Sequence, residues 1–217
     1  MKRFTSIMIH VYLYNNALRK KDLIKKLPTL PFVIQQRINR HKRLKNQLSS
    51  LAGYLLLQQA LKEQEHTIKQ LQFLSIGKPY IPDLPLSFSI SHNANLVGLC
   101  LLLKEGKIGL DIQEFRCFAP IESAFSFFSS IEQQAILTSQ NADETLIHYW
   151  SKKEALIKAG NGRMFDEAAL TDTTNPTCYW KGETFYWQTV STSFPGVIWV
   201  ASNQVDEKIL IKKVLFL

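Results

Sequence analysis

Apolar residues recur along this 217-residue chain with two periods, alternating in some segments and falling three or four residues apart in others. Alternation is typical of strands, and the longer spacing is typical of amphipathic helices. The predicted strands are 4–14, 87–91, 96–103, 107–112 and three runs around 178–190, 196–202 and 208–216. The predicted helices are 17–27, one long helix or two from Phe32 to about Glu65, 121–139 and 143–159. This order favours an α+β fold over a regular parallel α/β winding.

A proline-rich segment and a glycine mark where predicted elements are interrupted or end. The segment 77–85 contains three prolines, so we expect a loop without regular structure there. Gly160 follows the last predicted helix, where a glycine in the left-handed conformation commonly ends a helix.

The chain divides into two halves of similar plan joined near 103–107, although no sequence repeat demonstrates a duplication. We therefore predict an amino-terminal half over 1–104 and a carboxy-terminal half over 105–217.

Charge is unevenly distributed along the chain. The formal net charge is +8, yet residues 1–62 hold thirteen basic residues and one acidic residue, and the remainder is net acidic. An apolar content of 46% with 20% charged residues excludes a disordered chain, and no apolar run is long enough to span a membrane. The charge distribution by itself suggests an amino-terminal third that binds polyanions.

The first residues resemble a signal peptide only superficially. Their apolar stretch contains His10, no small-residue cleavage site follows, and the next segment is basic. The three cysteines, Cys100, Cys117 and Cys178, form neither a disulfide framework nor a zinc signature. We expect a cytoplasmic protein in a reducing environment.

Asp111 and Gln113 form the first candidate site. They lie two residues apart on a predicted strand, so their side chains share one face, while Leu110 and Ile112 point into the core. Mg²⁺ favours one or two carboxylates together with substrate phosphates, so a carboxylate and a carboxamide here suit that ion. The same spacing also fits a strand end that turns toward solvent.

Trp150, Glu154 and Lys158 form the second candidate site. Their spacing places all three on one face of a predicted helix, where a simple surface Glu–Lys pair is one interpretation. The tryptophan indicates that this face is at least half buried, and buried charged side chains require partners. A buried carboxylate beside a metal and a lysine could serve as general base and leaving-group acid.

Ser91 and His92 end the predicted strand 87–91 and form the third candidate. They suit a phosphate or a nucleotide ring, and they equally suit a capped turn. Lys78 lies in the proline-rich loop just upstream. The sequence contains no Gly-x-x-x-x-Gly-Lys, Gly-x-Gly-x-x-Gly or Gly-x-Ser-x-Gly motif, so the common nucleotide folds and the hydrolase elbow are unsupported.

The order of these motifs, more than any one of them, resembles a known enzyme family. The motifs are Gly77-Lys78-Pro79-Tyr80, Phe88-Ser89-Ile90-Ser91-His92-Asn93, Ile108-Gly109-Leu110-Asp111-Ile112, Phe127-Phe128-Ser129-Ser130-Ile131-Glu132, and Trp150-Ser151-Lys152-Lys153-Glu154-Ala155-Leu156-Ile157-Lys158 followed by Gly160 and Gly162. From about Arg37 to Gly162 the sequence resembles the larger, monomeric, surfactin-synthetase-activating type of 4′-phosphopantetheinyl transferase.

The resemblance implies both an activity and an architecture. Members of this family move the phosphopantetheine arm of coenzyme A onto a serine of an acyl or peptidyl carrier protein and release 3′,5′-ADP. The implied fold is a pseudodimer of two α+β halves with coenzyme A in the cleft between them. We accordingly expect a monomeric, Mg²⁺-dependent enzyme of fatty acid, polyketide or nonribosomal peptide synthesis, with neither a nucleic acid nor a membrane as partner.

The resemblance also assigns roles to individual residues. Asp111 and Glu154 would hold Mg²⁺, with Gln113 at the third ligand position. Glu154 would deprotonate the carrier serine, directly or through a water, and Lys158 would assist the departing phosphate. The coenzyme A contacts would be Arg37, Arg40, Lys78, Ser91, His92 and Lys158. Phe128 and Glu132 would contact the carrier or support the site.

Two positions depart from the family pattern. Gln113 stands where an acidic ligand is usual, so we expect weaker metal binding or a water in that coordination position. Ser49 stands where family members commonly carry an arginine, and either Arg43 or Lys45 could compensate for it.

Two other classes of protein compete with the transferase interpretation. A nucleic-acid-binding module would explain the basic residues of the predicted helix, Arg37, Arg40, Lys42, Arg43 and Lys45. No aromatic residue is interleaved with them, and that class leaves Asp111, Glu154 and Lys158 unexplained. The third interpretation is an α+β protein whose basic helix face is simply solvated.

Overall fold

The computed structural model describes residues 8–15, 20–68, 70–93, 95–205 and 208–214. The predicted beginnings of the first strand (4–7) and of the first helix (17–19) lie outside these residues. The chain forms two compact units, the first containing the described residues of 1–105 and 207–217 and the second those of 106–206. The final strand thus belongs to the first unit, whereas the predicted boundary assigned it to the second.

The described residues of the first unit form a four-stranded sheet, a two-stranded ladder and three α-helices. Its strands are β1 (Met8–Asn15), β2 (Gln72–Phe73), β3 (Pro79–Tyr80), β4 (Ser87–His92), β5 (Leu96–Leu102) and β10 (Lys208–Val214), and its helices are α1 (Lys20–Lys25), α2 (Phe32–Asn39) and α3 (Leu44–Glu63). The sheet order is β10-β1-β5-β4. Strand β5 is antiparallel to both β1 and β4, and β10 is parallel to β1.

Helix α3 packs against the sheet of the first unit through its apolar stripe. Its buried residues include Leu48, Leu51, Leu55 and Leu56. A Cβ on Gly53 would lie 2.6 Å from the side chain of Ile90, so a glycine is required for this close approach. The predicted proline-rich loop differs from the structure in one respect, because Pro79–Tyr80 pairs with Gln72–Phe73 as a two-residue antiparallel ladder.

The second unit contains an antiparallel sheet covered by one long helix. Its strands are β6 (Ile108–Glu114), β7 (Thr177–Trp180), β8 (Glu183–Thr189) and β9 (Gly196–Ser202), and its helices are α4 (Ser130–Thr138), α5 (Ala142–Ala159) and the single turn α6 (Met164–Glu167). Short 3₁₀ helices occupy Ile121–Phe127 and Ala168–Leu170. The sheet order is β6-β9-β8-β7, and α5 packs on β6 and β9.

Three local predictions for the second unit were wrong. The predicted helix 121–139 breaks at Ser129, whose side chain accepts a hydrogen bond from the backbone of Glu132 in a capping box. The predicted strand 178–190 is a hairpin, because Lys181 and Gly182 turn the chain with φ of 50° and 82°. Gly160 has φ of −83°, and the left-handed residue is Asn161 at 55°. Gly160 is needed for another reason, since a Cβ there would lie 2.2 Å from the ring of Trp180.

The two units share part of their strand pairing and differ in the fourth strand, which is β10 beside β1 in the first unit and β7 beside β8 in the second. In each unit the first strand pairs antiparallel with a later strand of a hairpin, β1 with β5 and β6 with β9, and helices lie between them in sequence. The α+β class predicted from the sequence is confirmed. No helix within the described residues has the length and apolar character needed to cross a membrane.

Candidate active site

The candidate active site lies where strand β6 meets helix α5 in the second unit. A Cβ on Gly109 would lie 2.0 Å from the backbone carbonyl oxygen of Ala155 and 2.6 Å from the amide nitrogen of Ala159. Only glycine therefore permits this distance between the strand and the helix. The close contact brings side chains that follow Gly109 on the strand against side chains of α5.

Lys158 binds both carboxylates that the sequence singled out. Its Nζ lies 2.6 Å from Asp111 Oδ1 and 3.3 Å from Glu154 Oε2. Asp111 is 1% exposed, so this residue is not part of a strand end that turns toward solvent. The structure thus brings the first and second candidate sites together into one acid–lysine cluster.

Two further side chains orient the carboxylates. Gln113 donates an amide N–H to Asp111 Oδ2 at 2.9 Å, and the indole N–H of Trp150 donates to Glu154 Oε1 at 3.0 Å. Each carboxylate is thus held by the lysine on one oxygen and by a neutral donor on the other. This arrangement leaves each carboxylate little freedom to rotate.

Burial and the mutual charges shift the pKa of all three groups. Burial raises the pKa of Glu154, and the neighbouring negative charge of Asp111 raises it further. Burial alone would raise the pKa of Asp111, but the charge of the Lys158 ammonium and the hydrogen bonds to the carboxylate together outweigh burial, and the pKa of Asp111 is lowered. Burial alone would lower the pKa of Lys158, but Asp111 and Glu154 outweigh it and raise it. In this cluster Asp111 therefore stays negatively charged and Lys158 stays positively charged. Glu154 is the more basic of the two carboxylates.

The donor set fits a divalent cation that also binds phosphate. Two carboxylates and a carboxamide are the oxygen ligands that Mg²⁺ takes alongside substrate phosphates. Among the described residues, no group of three or more histidine, cysteine, aspartate or glutamate side chains is arranged to hold a metal.

Trp199 lies beside the site and was missed in the sequence. It stands directly opposite Asp111 in the register of β6 and β9, so the two side chains are on the same face of the sheet. Its indole N–H donates to His148 Nδ1 at 3.2 Å, and Lys152 Nζ lies 4.8 Å from its ring centroid. The strand pairing that reveals this neighbour is a tertiary property, so no local sequence signal could have found it.

Glu132 and Lys153 form a fully buried ion pair in the second unit. Their charged atoms are 2.8 Å apart, and both side chains are 0% exposed. Glu132 also accepts hydrogen bonds from the backbone and hydroxyl of Thr173, while Lys153 donates to the carbonyls of Ala168 and Thr171. The segment 168–173 is thereby fixed to helices α4 and α5. Phe128 is also buried, so burial favours the supporting role for Phe128 and Glu132 over a carrier contact.

The residues expected to bind coenzyme A lie in the first unit, apart from Lys158. Arg37 donates to the carbonyl of Gly77 at 2.8 Å and stacks 4.3 Å from the centroid of Phe73, which brings it to the loop that holds Lys78. Arg40 and His92 are exposed, Lys78 is half-buried and Ser91 is buried. Ser49 is 1% exposed, so that position faces the interior of the first unit.

Comparison with known proteins supports the class of enzyme that the motifs predict. Residues 107–203, which include the acid–lysine cluster, match the family model described as the 4′-phosphopantetheinyl transferase superfamily. The chain is also similar to proteins named 4′-phosphopantetheinyl transferase AcpT. The protein from Escherichia coli strain K12 is 31% identical over 128 residues, or 57% of this chain and 63% of that protein. The protein from Salmonella typhimurium is 29% identical over 129 residues, or 58% of this chain and 65% of that protein.

The similarity covers only part of the length of these relatives. The matched region spans slightly less than two thirds of the length of the relatives. The findings support a 4′-phosphopantetheinyl transferase in general and not the surfactin-synthetase-activating type in particular.

Proposed function

We propose that this protein transfers the 4′-phosphopantetheine arm of coenzyme A to a serine hydroxyl of an acyl or peptidyl carrier protein and releases 3′,5′-ADP. The observation that carries the proposal is the cluster of Asp111, Glu154 and Lys158, two carboxylates bound to one ammonium within a segment that matches the superfamily. Phosphoryl transfer needs positioning and neutralisation of charge more than covalent chemistry by the protein, and this cluster supplies both.

Glu154 is the proposed general base. Its raised pKa makes it a better proton acceptor near neutral pH than an ordinary glutamate, and the hydrogen bond from Trp150 fixes one of its oxygens. The serine oxygen would attack the β-phosphorus of coenzyme A while its proton passes to Glu154. The bond from that phosphorus to the bridging oxygen breaks, and Lys158 stabilises the negative charge on the departing 3′,5′-ADP.

Asp111, Glu154 and Gln113 would hold Mg²⁺ in this proposal. The ion would supply charge neutralisation for the two phosphates of the pyrophosphate group. Arg37, Arg40, Lys78, Ser91 and His92 would bind the 3′-phosphoadenosine end of coenzyme A, and Lys158 its phosphates. We also propose that the enzyme acts as a monomer in the cytoplasm and belongs to the surfactin-synthetase-activating type.

The nucleic-acid-binding alternative is not favoured. It rests on exposed basic residues, which are Arg40, Lys42 and Arg43 between α2 and α3 and Lys45 in the first turn of α3. It gives no reason for the buried position of Asp111 or for the contacts of Lys158 with two carboxylates.

The proposal is tested by incubating the protein with coenzyme A, Mg²⁺ and apo carrier proteins, followed by intact mass measurement of each carrier. The carriers should come from fatty acid, polyketide and peptide synthesis in the same genome, because the sequence does not select among them. Addition of the phosphopantetheine mass to the serine-containing carrier is expected. No added mass on any carrier, together with salt-dependent retention on DNA, would support the nucleic-acid alternative instead.

Glu154→Gln provides the matched variant for this assay. The amide still accepts the Trp150 hydrogen bond but accepts no proton, so transfer should fall by about 10²- to 10⁴-fold. Binding of coenzyme A should change little. Glu144→Gln, an exposed carboxylate in the first turn of the same helix, should retain normal transfer. Near-normal turnover of Glu154→Gln would reject its assignment as the base.

A further inference from the structure

Phe165 is the most exposed of the large apolar side chains in the described part of the chain. It is 87% exposed and lies in the single turn α6, which follows the helix that carries Glu154 and Lys158. An isolated apolar residue on a surface needs no explanation, but this ring is not isolated.

A continuous row of aromatic rings connects Phe165 to the proposed base. Its ring meets that of Phe127 edge to face with centroids 5.5 Å apart, and Phe127 meets Trp150 in the same way at 5.2 Å. Trp150 then donates its indole N–H to Glu154 at 3.0 Å. Phe165 therefore stands at the exposed end of a row of side chains whose other end contacts the half-buried carboxylate of Glu154.

The segment that carries Phe165 is fixed on both sides of that residue. On one side the amide of Gly162 donates to the carbonyl of Ile157 at 2.8 Å. On the other side the buried ammonium of Lys153 binds the carbonyl of Ala168 at 2.7 Å. The exposed ring is thus presented from an anchored segment, and its immobilisation on binding requires little loss of conformational freedom.

We propose that Phe165 is the apolar anchor against which the carrier protein docks when its serine enters the site. This inference rests on the proposed function, because it requires a folded protein as acceptor. The surface around the acceptor serine must cover the rim of the acid–lysine cluster for the hydroxyl to reach Glu154, and the row of rings places Phe165 on that rim. A preorganised aromatic side chain is typical of the few residues that dominate an interface.

A carrier protein suits this surface better than a second copy of the chain. One ring and its neighbours present far less apolar surface than the roughly 1,600 Å² that a standard stable interface buries. A small apolar anchor suits an encounter that must end after every turnover.

The test compares the steady-state kinetics of Phe165→Ala with those of the wild-type protein, varying apo carrier and coenzyme A separately. We expect kcat/KM for the carrier to fall about tenfold through a higher KM for the carrier, with an unchanged KM for coenzyme A. Phe165→Leu, which keeps an apolar side chain, should recover part of the loss. Tyr179→Ala removes a ring that is 75% exposed on β7 and should have the wild-type KM for the carrier.

Each other outcome overturns the inference in a distinguishable way. An unchanged KM for the carrier in Phe165→Ala would show that the carrier docks elsewhere. A higher KM for coenzyme A alone would assign the ring to the pantetheine arm. A dimer in light scattering that Phe165→Ala abolishes would assign it to a second copy. Absence of transfer by the wild-type protein would instead reject the proposed function, and this inference with it.

Discussion

Gly109 of strand β6 and Ala155 of helix α5 approach so closely that a Cβ on the glycine would lie 2.0 Å from the alanine carbonyl oxygen. Asp111 follows on the same face of the strand, and Lys158 lies one helical turn beyond Ala155. The salt bridge between Asp111 and Lys158, at 2.6 Å, therefore depends on a contact made by two residues without functional groups.

Gly109→Ala should lower both activity and stability. Because the new methyl group would overlap backbone atoms, α5 must move away from β6, and overpacking of this kind costs about 1–3 kcal/mol of unfolding free energy. The movement separates Lys158 from Asp111, so transfer should fall more than stability alone explains. Urea unfolding and the mass-based transfer assay measure the two effects. Gly182→Ala is the control, because its φ of 82° makes alanine costly while nothing lies within 4 Å of the new atom; it should lose stability and keep its activity.

Glu132→Gln should strongly destabilise the second unit. The substitution leaves the ammonium of Lys153 buried without its counter-charge, and breaking one side of a buried ion pair typically costs about 3–5 kcal/mol. Adding Lys153→Met should restore part of the loss, since the uncompensated charge is then removed. Asp22→Asn breaks an exposed pair with Lys25 and should change the unfolding free energy by less than about 1 kcal/mol. Equal effects of Glu132→Gln and Asp22→Asn in denaturant unfolding would contradict this account.

Gln113→Glu should lower the Mg²⁺ concentration that gives the half-maximal transfer rate. The amide now donates to Asp111, and a carboxylate in its place would repel Asp111 until a cation lies between them. Titration of the transfer rate with MgCl₂ measures the shift. Gln134→Glu, on the exposed surface of α4, adds the same charge away from the cluster and should have the wild-type metal dependence. An unchanged metal dependence of Gln113→Glu would exclude Gln113 as a ligand position.

Stability should decrease as the pH falls below about 6.5, in part because of His148. Burial lowers the pKa of this imidazole, the charge of Lys152 lowers it further, and Glu144 opposes them weakly. The unfolded chain therefore takes up the proton at a higher pH than the folded chain. The contribution of His148 to the unfolding free energy is complete above the ordinary imidazole pKa and is lost as the pH falls below it. Trp199 donates to Nδ1, and protonation there would break that hydrogen bond.

Unfolding free energies of the wild type and of His148→Gln between pH 7.5 and 5.5 measure this contribution. The variant should have a weaker pH dependence over that range. Part of the dependence should persist, because burial and Lys212 lower the pKa of His10 in the same direction. His66→Gln, on the exposed surface, serves as the control for loss of an imidazole. Identical pH profiles of the wild type and His148→Gln would show that His148 does not contribute.

The sequence predicted most elements because local patterns determine them. Helical spacing located α5 within one residue of its observed start, and the i, i+4, i+8 spacing correctly placed Trp150, Glu154 and Lys158 on one face, where consecutive members are in contact. The errors occurred at turns. The hairpin at Lys181 and Gly182 and the helix break at Ser129 each depend on the conformation of one or two residues, which a periodicity averaged over ten residues does not resolve.

The sequence by itself determined the α+β class, the motifs that contain Asp111 and the pair Glu154 and Lys158, and the resemblance of these motifs to a transferase family. Period, composition and motif order can all be read along the chain without knowledge of its tertiary contacts. Only the tertiary structure decided that Asp111 and Lys158, which are 47 positions apart, form an ion pair, that Trp199 stands beside them, and that Glu132 is paired with Lys153 inside the protein. It also decided that the last strand returns to the first sheet as β10. These facts arise from strand register and from the packing of a helix on a glycine, which depend on contacts between residues distant in the chain.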